Sequence, residues 1–166
     1  SNGFTMFTVV RPLSNDNSAR SIFSKRTNVG VNQAYMLFLY GSNRLTLDVV
    51  TNNNRFDTSP TNFPAGSNYI LTAGYDGTLP TASRSTLCSG QTLVTTASET
   101  SASMPDYNSP IIVGSTHVGD TRPFDGHIAE IIYFSKALNT TEKIVVDNYL
   151  SAKYNITLSA NDFYAG

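Results

Sequence analysis

The sequence FDGHIAEIIYFSKALNTTEKIVVDNYLSAKY, residues 124–154, decides the fold of this chain. Its first part, residues 126–134, is apolar at most positions, which predicts a strand buried on both faces. Strict alternation gives one face with Ile128, Glu130 and Ile132 and another with Ala129, Ile131 and Tyr133. We expect Glu130 to be a structural carboxylate, because apolar residues surround it in this strand.

The second part of the stretch predicts a helix. Asn139 or Thr140 can cap its first turn, where Glu142 also interacts favourably with the helix dipole. Lys153 stands in the last turn, where a positive charge is favoured. The apolar stripe of this helix is predicted to comprise Ile144, Val145, Tyr149 and Leu150.

Short β-rich segments fill most of the remaining chain. Residues 35–40 and 44–50 flank the turn Gly41-Ser42-Asn43 and predict a hairpin, with Leu45, Leu47 and Val49 on one face. Residues 51–66 predict a long polar loop that contains Asn53 and Arg55. Further strands are predicted at residues 4–11, 21–25, 68–75, 83–88, 91–96 and 111–113.

Many short strands with one late helix predict an all-β fold. We expect a two-sheet antiparallel jelly-roll-like sandwich with one C-terminal α-helix that covers an end of the sandwich. Residues 1–158 are predicted to form this domain. Residues 159–166 are predicted to begin a linker or the next module.

The composition excludes several classes of protein. Charged residues make up only 14% of the 166 residues, and the net charge is −1. Nucleic-acid binding needs a cluster of basic residues, which this chain lacks. Membrane insertion needs about 18 consecutive apolar residues, and no such stretch occurs. Cys88 is the single cysteine, so an internal disulfide is excluded, and we expect a small buried side chain there.

Three segments resemble one known family. They are FTMFTVVRP at residues 4–12, GYDG at 74–77 with LCSG at 87–90, and the stretch of residues 124–154. Together they resemble the laminin G/concanavalin A-like lectin superfamily, in its bacterial surface-protein branch, over residues 3–158. The resemblance implies the sandwich fold and an extracellular or cell-surface location within a larger multidomain protein.

Several members of that superfamily bind calcium at the rim of the sandwich. Relatives often carry Ile-Asp-Glu in the final strand, whereas this chain reads Ile128-Ala129-Glu130. Calcium prefers six to eight oxygen ligands, mostly from loops. Calcium is therefore the one cofactor that the sequence leaves open, with Asp120 and Asp125 as predicted metal ligands. Asp16 with Asn15 and Asn17 is the alternative group.

Enzymes of this superfamily carry carboxylate or Arg/His patterns that are absent here. Hydrolases of this superfamily carry the pattern Glu-x-Asp-x-x-Glu on one strand. Its lyases carry Arg-x-Glu-x-Arg on one strand and Gln-x-His on another. This chain has only three glutamates, Glu99, Glu130 and Glu142, and no two of them fit that spacing. His117 and His127 are possible acid–base groups, but no paired carboxylates of the kind used by these enzymes lie near them in the sequence. We therefore do not expect an enzyme.

The polar loops supply the groups that sugar recognition uses. Sugars need flat aromatic faces for their C–H groups and amide, carboxylate or guanidinium groups for their hydroxyls. Tyr107 is the predicted aromatic platform. The predicted ligand-binding residues are Asn53, Arg55, Asp106, Tyr107, Asn108, His117, Asp120 and Arg122.

We therefore expect a non-catalytic carbohydrate-binding or adhesion module of a larger secreted or cell-surface bacterial protein. Its partner would be a glycan or polysaccharide. The alternative is a structural or protein-interaction spacer that contacts a cell-surface protein and has no small ligand. A polysaccharide-active enzyme is the least favoured reading.

Overall fold

The structure is a computed structural model that describes residues 2–28, 32–49, 55–120 and 123–164. Within these ranges the chain forms ten strands, one 3-10 turn at Thr81–Ser83 and one α-helix, α1, at Thr140–Tyr154. The strands are β1 Gly3–Pro12, β2 Arg20–Lys25, β3 Tyr35–Tyr40, β4 Arg44–Val49, β5 Arg55–Asp57, β6 Tyr69–Asp76, β7 Ser85–Ser89, β8 Thr92–Ala97, β9 Ile111–Val113 and β10 Gly126–Phe134.

The strands form two antiparallel sheets of five strands each. The first sheet has the order β10-β1-β6-β7-β8, and the second sheet has the order β5-β4-β3-β2-β9. Every pair of neighbouring strands is antiparallel. The predicted all-β sandwich with one C-terminal helix is therefore confirmed.

The main core lies between the two sheets. Leu45, Leu47 and Val49 are fully buried, which confirms the predicted alternation of the hairpin. From the first sheet, Phe4 and Met6 enter the same cluster. Burial of these side chains is the largest contribution to folding, at about 1.5–3 kcal/mol for each.

A second core lies on the outer face of the first sheet, beneath α1. Phe7, Val9 and Ile70 point outward from this sheet and pack with Leu138 and Leu150. The sequence analysis predicted that the helix covers an end of the sandwich. This prediction is wrong, because the helix covers a face. The reason is that β1 carries apolar residues on both sides and needs a cover on each.

A β-bulge changes which residues share a face in β10. Val9 pairs with Glu130 and Val10 pairs with Ile128, so Ala129 is an extra residue between them. Ile128 therefore joins Ile131 in the main core, and the predicted grouping of Ile128 with Glu130 and Ile132 is wrong. Both faces of β10 contact a core, because Ile132 and Phe134 pack against the second core, but the predicted burial of both faces is only partial: β10 is an edge strand and none of its residues is fully buried.

The inward face of α1 is more polar than the predicted stripe. Val145 and Tyr149 are exposed, whereas Asp147, Asn148, Leu150 and Ser151 are buried. The chain after the helix explains this difference, because it supplies polar partners. The Asn148 amide group donates to the carbonyl of Asn161 at 2.8 Å and its oxygen accepts from the backbone N–H of Phe163 at 2.7 Å.

The start of α1 agrees with the sequence. The Asn139 side chain accepts a hydrogen bond from the backbone of Glu142, and the Glu142 carboxylate accepts one from the backbone of Asn139, each at 2.9 Å. This is a capping box. Helix α1 has 15 residues. No helix of the described residues is long and apolar enough to cross a membrane.

The predicted polar loop at residues 51–66 contains a strand. Arg55–Asp57 forms β5 and pairs with β4, where Thr46 faces Asp57 and Asp48 faces Arg55. Three residues carry too little hydrophobic pattern to predict a strand. The correction matters for function, because it moves Arg55 from a loop to the edge of the second sheet.

Candidate functional site

The structure divides the predicted ligand-binding residues between two regions. Asn53 and Arg122 lie outside the described residues. Arg55, His117 and Asp120 belong to the outer face of the second sheet or to the loop that crosses it. Tyr107, with Asp106 and Asn108 beside it, lies near the end of β2.

Alternation places a polar and aromatic surface on the outer face of the second sheet. Leu37 and Leu39 of β3 point into the core, so Phe38 and Tyr40 point outward. Asp48 of β4 and Arg55 of β5 lie opposite each other on the same face. Phe38 is buried, whereas 37% of Tyr40 is exposed.

Arg55 is held in place by a buried carboxylate. Its Nε and Nη2 donate to the two oxygens of Asp48 at 2.9 and 3.0 Å. The Asp48 side chain is fully buried, while 43% of the Arg55 side chain is exposed. Burial raises the pKa of Asp48, and the hydrogen bonds from Arg55 oppose that rise. The two-point contact fixes the plane of the guanidinium group.

The same guanidinium group lies close to the two outward aromatic rings. The Arg55 Cζ is 5.0 Å from the centre of the Phe38 ring and 5.8 Å from that of Tyr40. These distances fit cation–π contacts. The exposed part of this surface therefore consists of a fixed guanidinium beside a tyrosine ring. We call Tyr40 and Arg55 the Arg55 surface.

A loop at residues 114–120 crosses the outer face beside β2. Thr116 is buried, and its carbonyl accepts hydrogen bonds from Arg26 Nε at 2.7 Å and Ser24 Oγ at 3.0 Å. Its hydroxyl donates to the carboxylate of Asp120 and is 2.9 Å from Nδ1 of His117. Because this hydroxyl has one hydrogen, Nδ1 must donate, which leaves Nε2 of a neutral His117 as an acceptor.

Arg26 holds this loop against the second sheet. Its side chain is buried, and its Nη1 donates to Gln33 at 3.1 Å while its Nε binds Thr116. Its positive charge also opposes the rise in the pKa of Asp48. The outer face of the second sheet therefore carries two sets of hydrogen bonds, one between Arg55 and Asp48 and one that joins Arg26 to Gln33 and Thr116.

Sequence reasoning missed part of this arrangement. The alternation of β4 predicts Asp48 on the face opposite the buried leucines, but it does not indicate that this carboxylate binds Arg55. Arg26 gave no signal, because it follows the end of β2 and meets Thr116 only in the folded chain.

Tyr107 is half-buried and packs against the main core. Its carbonyl and that of Ser109 accept hydrogen bonds from Nζ of Lys25 at 2.8 and 3.2 Å. Asp106 and Asn108 on either side are exposed. The segment is thus fixed by its backbone, and only part of the Tyr107 ring is open to a ligand.

Two of the three carboxylates suggested for calcium already have protein partners. Asp120 accepts from the backbone and hydroxyl of Thr116. Asp16 forms an ion pair with Arg20, which lowers the pKa of Asp16. Asp125 is exposed. Across residues 2–28, 32–49, 55–120 and 123–164, no three His, Cys, Asp or Glu side chains form a group that could hold a metal ion.

Each glutamate has a structural hydrogen bond. Glu99 is buried and accepts from the backbone of Ser101 at 2.9 Å, and Glu142 completes the helix cap. Glu130 accepts from Nζ of Lys153 at 3.0 Å, which agrees with its predicted structural role. His127 is exposed on β10.

Solved structures with the same fold include domains that bind sugars. This chain aligns with a Ruminococcus gnavus IT-sialidase CBM40 bound to α2,3-sialyllactose, at 16% identity and a TM-score of 0.68, over 88% of this chain and 83% of that one. It also aligns with domain 4 of AbnA, an extracellular arabinanase from Geobacillus stearothermophilus, in complex with arabinotriose. The identity is 15% and the TM-score is 0.62, over 86% of this chain and 65% of that one.

A candidate carbohydrate binding protein from Bacteroides ovatus also aligns, at 15% identity and a TM-score of 0.66, over 84% of this chain. This chain spans only 39% of that protein. Comparison with curated protein sequences found no match. At these identities the alignments establish the fold alone.

A family model matches the sequence itself. The match covers residues 1–142, which is most of the chain, and includes the first strand, both predicted hairpins and β10. The chain belongs to the concanavalin A-like lectin/glucanases superfamily.

Proposed function

We propose that this domain is a non-catalytic carbohydrate-binding module that binds glycans on the outer face of the second sheet. The observation that carries the proposal is the Arg55 surface, where a fixed guanidinium lies beside an exposed tyrosine ring. The sugar ligands of the R. gnavus and G. stearothermophilus domains support the same class of ligand.

The chemistry of this surface suits a sugar. The ring of Tyr40 can pack against the C–H groups of a pyranose, and Arg55 can donate to two neighbouring hydroxyl or carboxylate oxygens. Nε2 of His117 and the carboxylate of Asp120 can accept from hydroxyls at the loop side. Arg55 is held by Asp48, and His117 and Asp120 are held by Thr116, before a ligand arrives. Little conformational entropy of these side chains is therefore lost on binding.

A glycan array tests the proposal. The wild-type protein should bind at least one family of glycans, and Tyr40→Ala should reduce that binding because it removes the stacking face. Arg55→Lys should also reduce it, because lysine keeps the charge beside Asp48 but loses the two-point geometry. Arg11→Ala is the matched control, since Arg11 is exposed on the first sheet.

Failure to bind any glycan, with and without calcium, would overturn the proposal. The alternative of a structural or protein-interaction module would then be favoured. Binding that both variants retain in full would place the site elsewhere, with the Asp106–Asn108 segment as the next region to test.

A calcium ion at Asp120 and Asp125 is a separate proposal. Thermal unfolding should show a lower Tm after EDTA treatment and recovery on addition of calcium, and Asp125→Asn should abolish this difference. If EDTA and calcium leave Tm unchanged, the metal proposal is wrong.

We further propose that the module functions outside the cell as part of a larger secreted or surface protein. The low charge content and the superfamily support this location. Detection of the full-length protein in the intact-cell surface or culture fraction would test it, and recovery only from the cytosol would contradict it.

A further inference from the structure

A second region with unexplained polar groups lies between α1 and the outer face of the first sheet. It is a cleft of about 250 Å³. One wall is α1, which contributes Lys143 and Asp147, and the other is the first sheet, which contributes Thr72, Thr86 and Cys88. This cleft lies on the opposite side of the sandwich from the Arg55 surface.

Two buried groups in the cleft lack hydrogen-bond partners. Asp147 and Thr72 are each only 2% exposed. Oδ1 of Asp147 and Oγ1 of Thr72 make no hydrogen bond with any described residue. The polar neighbours of Asp147 on the helix, Asn148 and Ser151, do bond to the chain that follows α1. Buried polar atoms normally have a partner, and these two line one cleft from opposite walls, where a ligand could supply it.

The charges in the cleft restrict the kind of ligand. Lys143 lies one helical turn before Asp147 and lines the same cleft, and its charge opposes the raised pKa of that carboxylate. The opposite charges of Lys143 and Asp147 nearly cancel, so the cleft has no net charge that would favour a cation or an anion. A neutral molecule with several hydroxyl groups can donate to the carboxylate and accept from the ammonium group.

The rest of the cleft fits the same chemistry. The hydroxyls of Thr72 and Thr86 can donate or accept, and Leu93 and Ile144 offer apolar contacts for C–H groups. The volume is below the roughly 300–1,000 Å³ of pockets for drug-sized ligands, so the ligand must be small.

We propose that this cleft is a binding site for a small neutral polyol, of the size of a single sugar residue. Asp147 accepts hydrogen bonds from adjacent hydroxyls of the ligand, Lys143 donates to another, and Thr72 completes the contact from the sheet. The site is independent of the Arg55 surface, and its existence does not depend on the function proposed for that surface.

Protection of Cys88 provides a direct test, because this thiol lines the cleft. Burial raises the pKa of Cys88, so alkylation by iodoacetamide is followed at about pH 9. The probes are glycerol, myo-inositol and the methyl glycosides of glucose, galactose, mannose and xylose. At least one should slow alkylation in a saturable manner, by about threefold or more when the cleft is filled.

Variants then connect this protection with the unpaired groups. Asp147→Asn and Thr72→Val keep the shape of each side chain. Each should raise the Kd of the protecting probe by about tenfold, which is the factor for loss of one hydrogen bond. Asp76→Asn is the matched control, because this carboxylate lies outside the cleft and asparagine can keep its bond to Thr78. It should leave the protection unchanged.

Two results would overturn the proposal. One is that no probe slows alkylation of the wild-type protein. The other is that protection is undiminished in both Asp147→Asn and Thr72→Val. Tyr40→Ala, which should lose binding on the glycan array, should retain protection of Cys88, so failure of one site is distinguishable from failure of the other.

Discussion

Asp147 is a carboxylate that the fold buries beside a single ammonium group. Burial raises the pKa of Asp147 from 3.8 to about 7, and the positive charge of Lys143 only partly opposes this. Between about pH 4 and pH 7 the folded state therefore holds a proton that the unfolded state has lost. The contribution of Asp147 to stability therefore falls as pH rises through this range and stays constant above it.

Asp147→Asn should remove this dependence, because an amide does not ionise. In the absence of any ligand, we expect the variant to be more stable than the wild type by roughly 2–4 kcal/mol at about pH 8. The difference should nearly vanish at about pH 4. Urea unfolding at both pH values measures it, and equal stability of the two proteins at pH 8 would contradict the assignment.

Arg55 has a structural role in addition to its proposed contact with a glycan. Arg55→Ala would leave the fully buried Asp48 without its two hydrogen bonds. We expect a loss of roughly 1–3 kcal/mol in the free energy of unfolding at neutral pH. Arg55→Lys should lose less, which is why it is preferred for binding measurements. An Arg55→Ala protein as stable as the wild type would show that Asp48 finds another partner.

The sequence predicts which residues are candidates for a site, but it does not predict how they are arranged in space. Arg55, His117 and Asp120 could be predicted as polar candidates from residue type alone. Their distribution over one face could not, because it depends on the hydrogen bonds of Thr116 with Arg26 and Asp120. The unpaired state of Asp147 was also invisible, since it depends on which part of the chain packs against α1.

At the scale of elements, the helix cap was predictable because its partners are three residues apart. Asn139→Ala should remove one half of the capping box and cost about 1 kcal/mol. For a domain of this size Tm should fall by about 2–4 °C. Thr141→Ala, an exposed neighbour in the first turn, is the control and should change the stability by less than about 0.5 kcal/mol. Equal Tm values for both variants would contradict the role of the cap.

The orientation of elements was less accessible than their existence. Periodicity assigned Val145 and Tyr149 to the core, but the helix turns Asp147 and Asn148 inward because residues 161–163 bond to it. In β10, alternation failed at one point, where the extra residue Ala129 moves Ile128 to the other face. Both errors arise from long-range contacts that no local pattern contains.

At the scale of the whole molecule, the order of strands in each sheet leaves two outer faces. The outer face of the second sheet carries the Arg55 surface and the loop at residues 114–120. The outer face of the first sheet is covered by α1 and encloses the cleft at Asp147. The sequence predicted two sheets and a helix, and its resemblance identified the superfamily, but neither predicted that the helix would lie on the face opposite the Arg55 surface.

Chemical-shift mapping tests the central claim most directly. The glycan that binds best on the array is titrated into the isotopically labelled wild-type domain. The glycan is then recovered, and its molecular mass is measured by mass spectrometry. We predict that amide shifts concentrate at β3, β5 and residues 114–120, and that the glycan has an unchanged mass. Absence of shifts at these positions, or recovery of a cleaved glycan, would contradict a non-catalytic carbohydrate-binding module that uses this face.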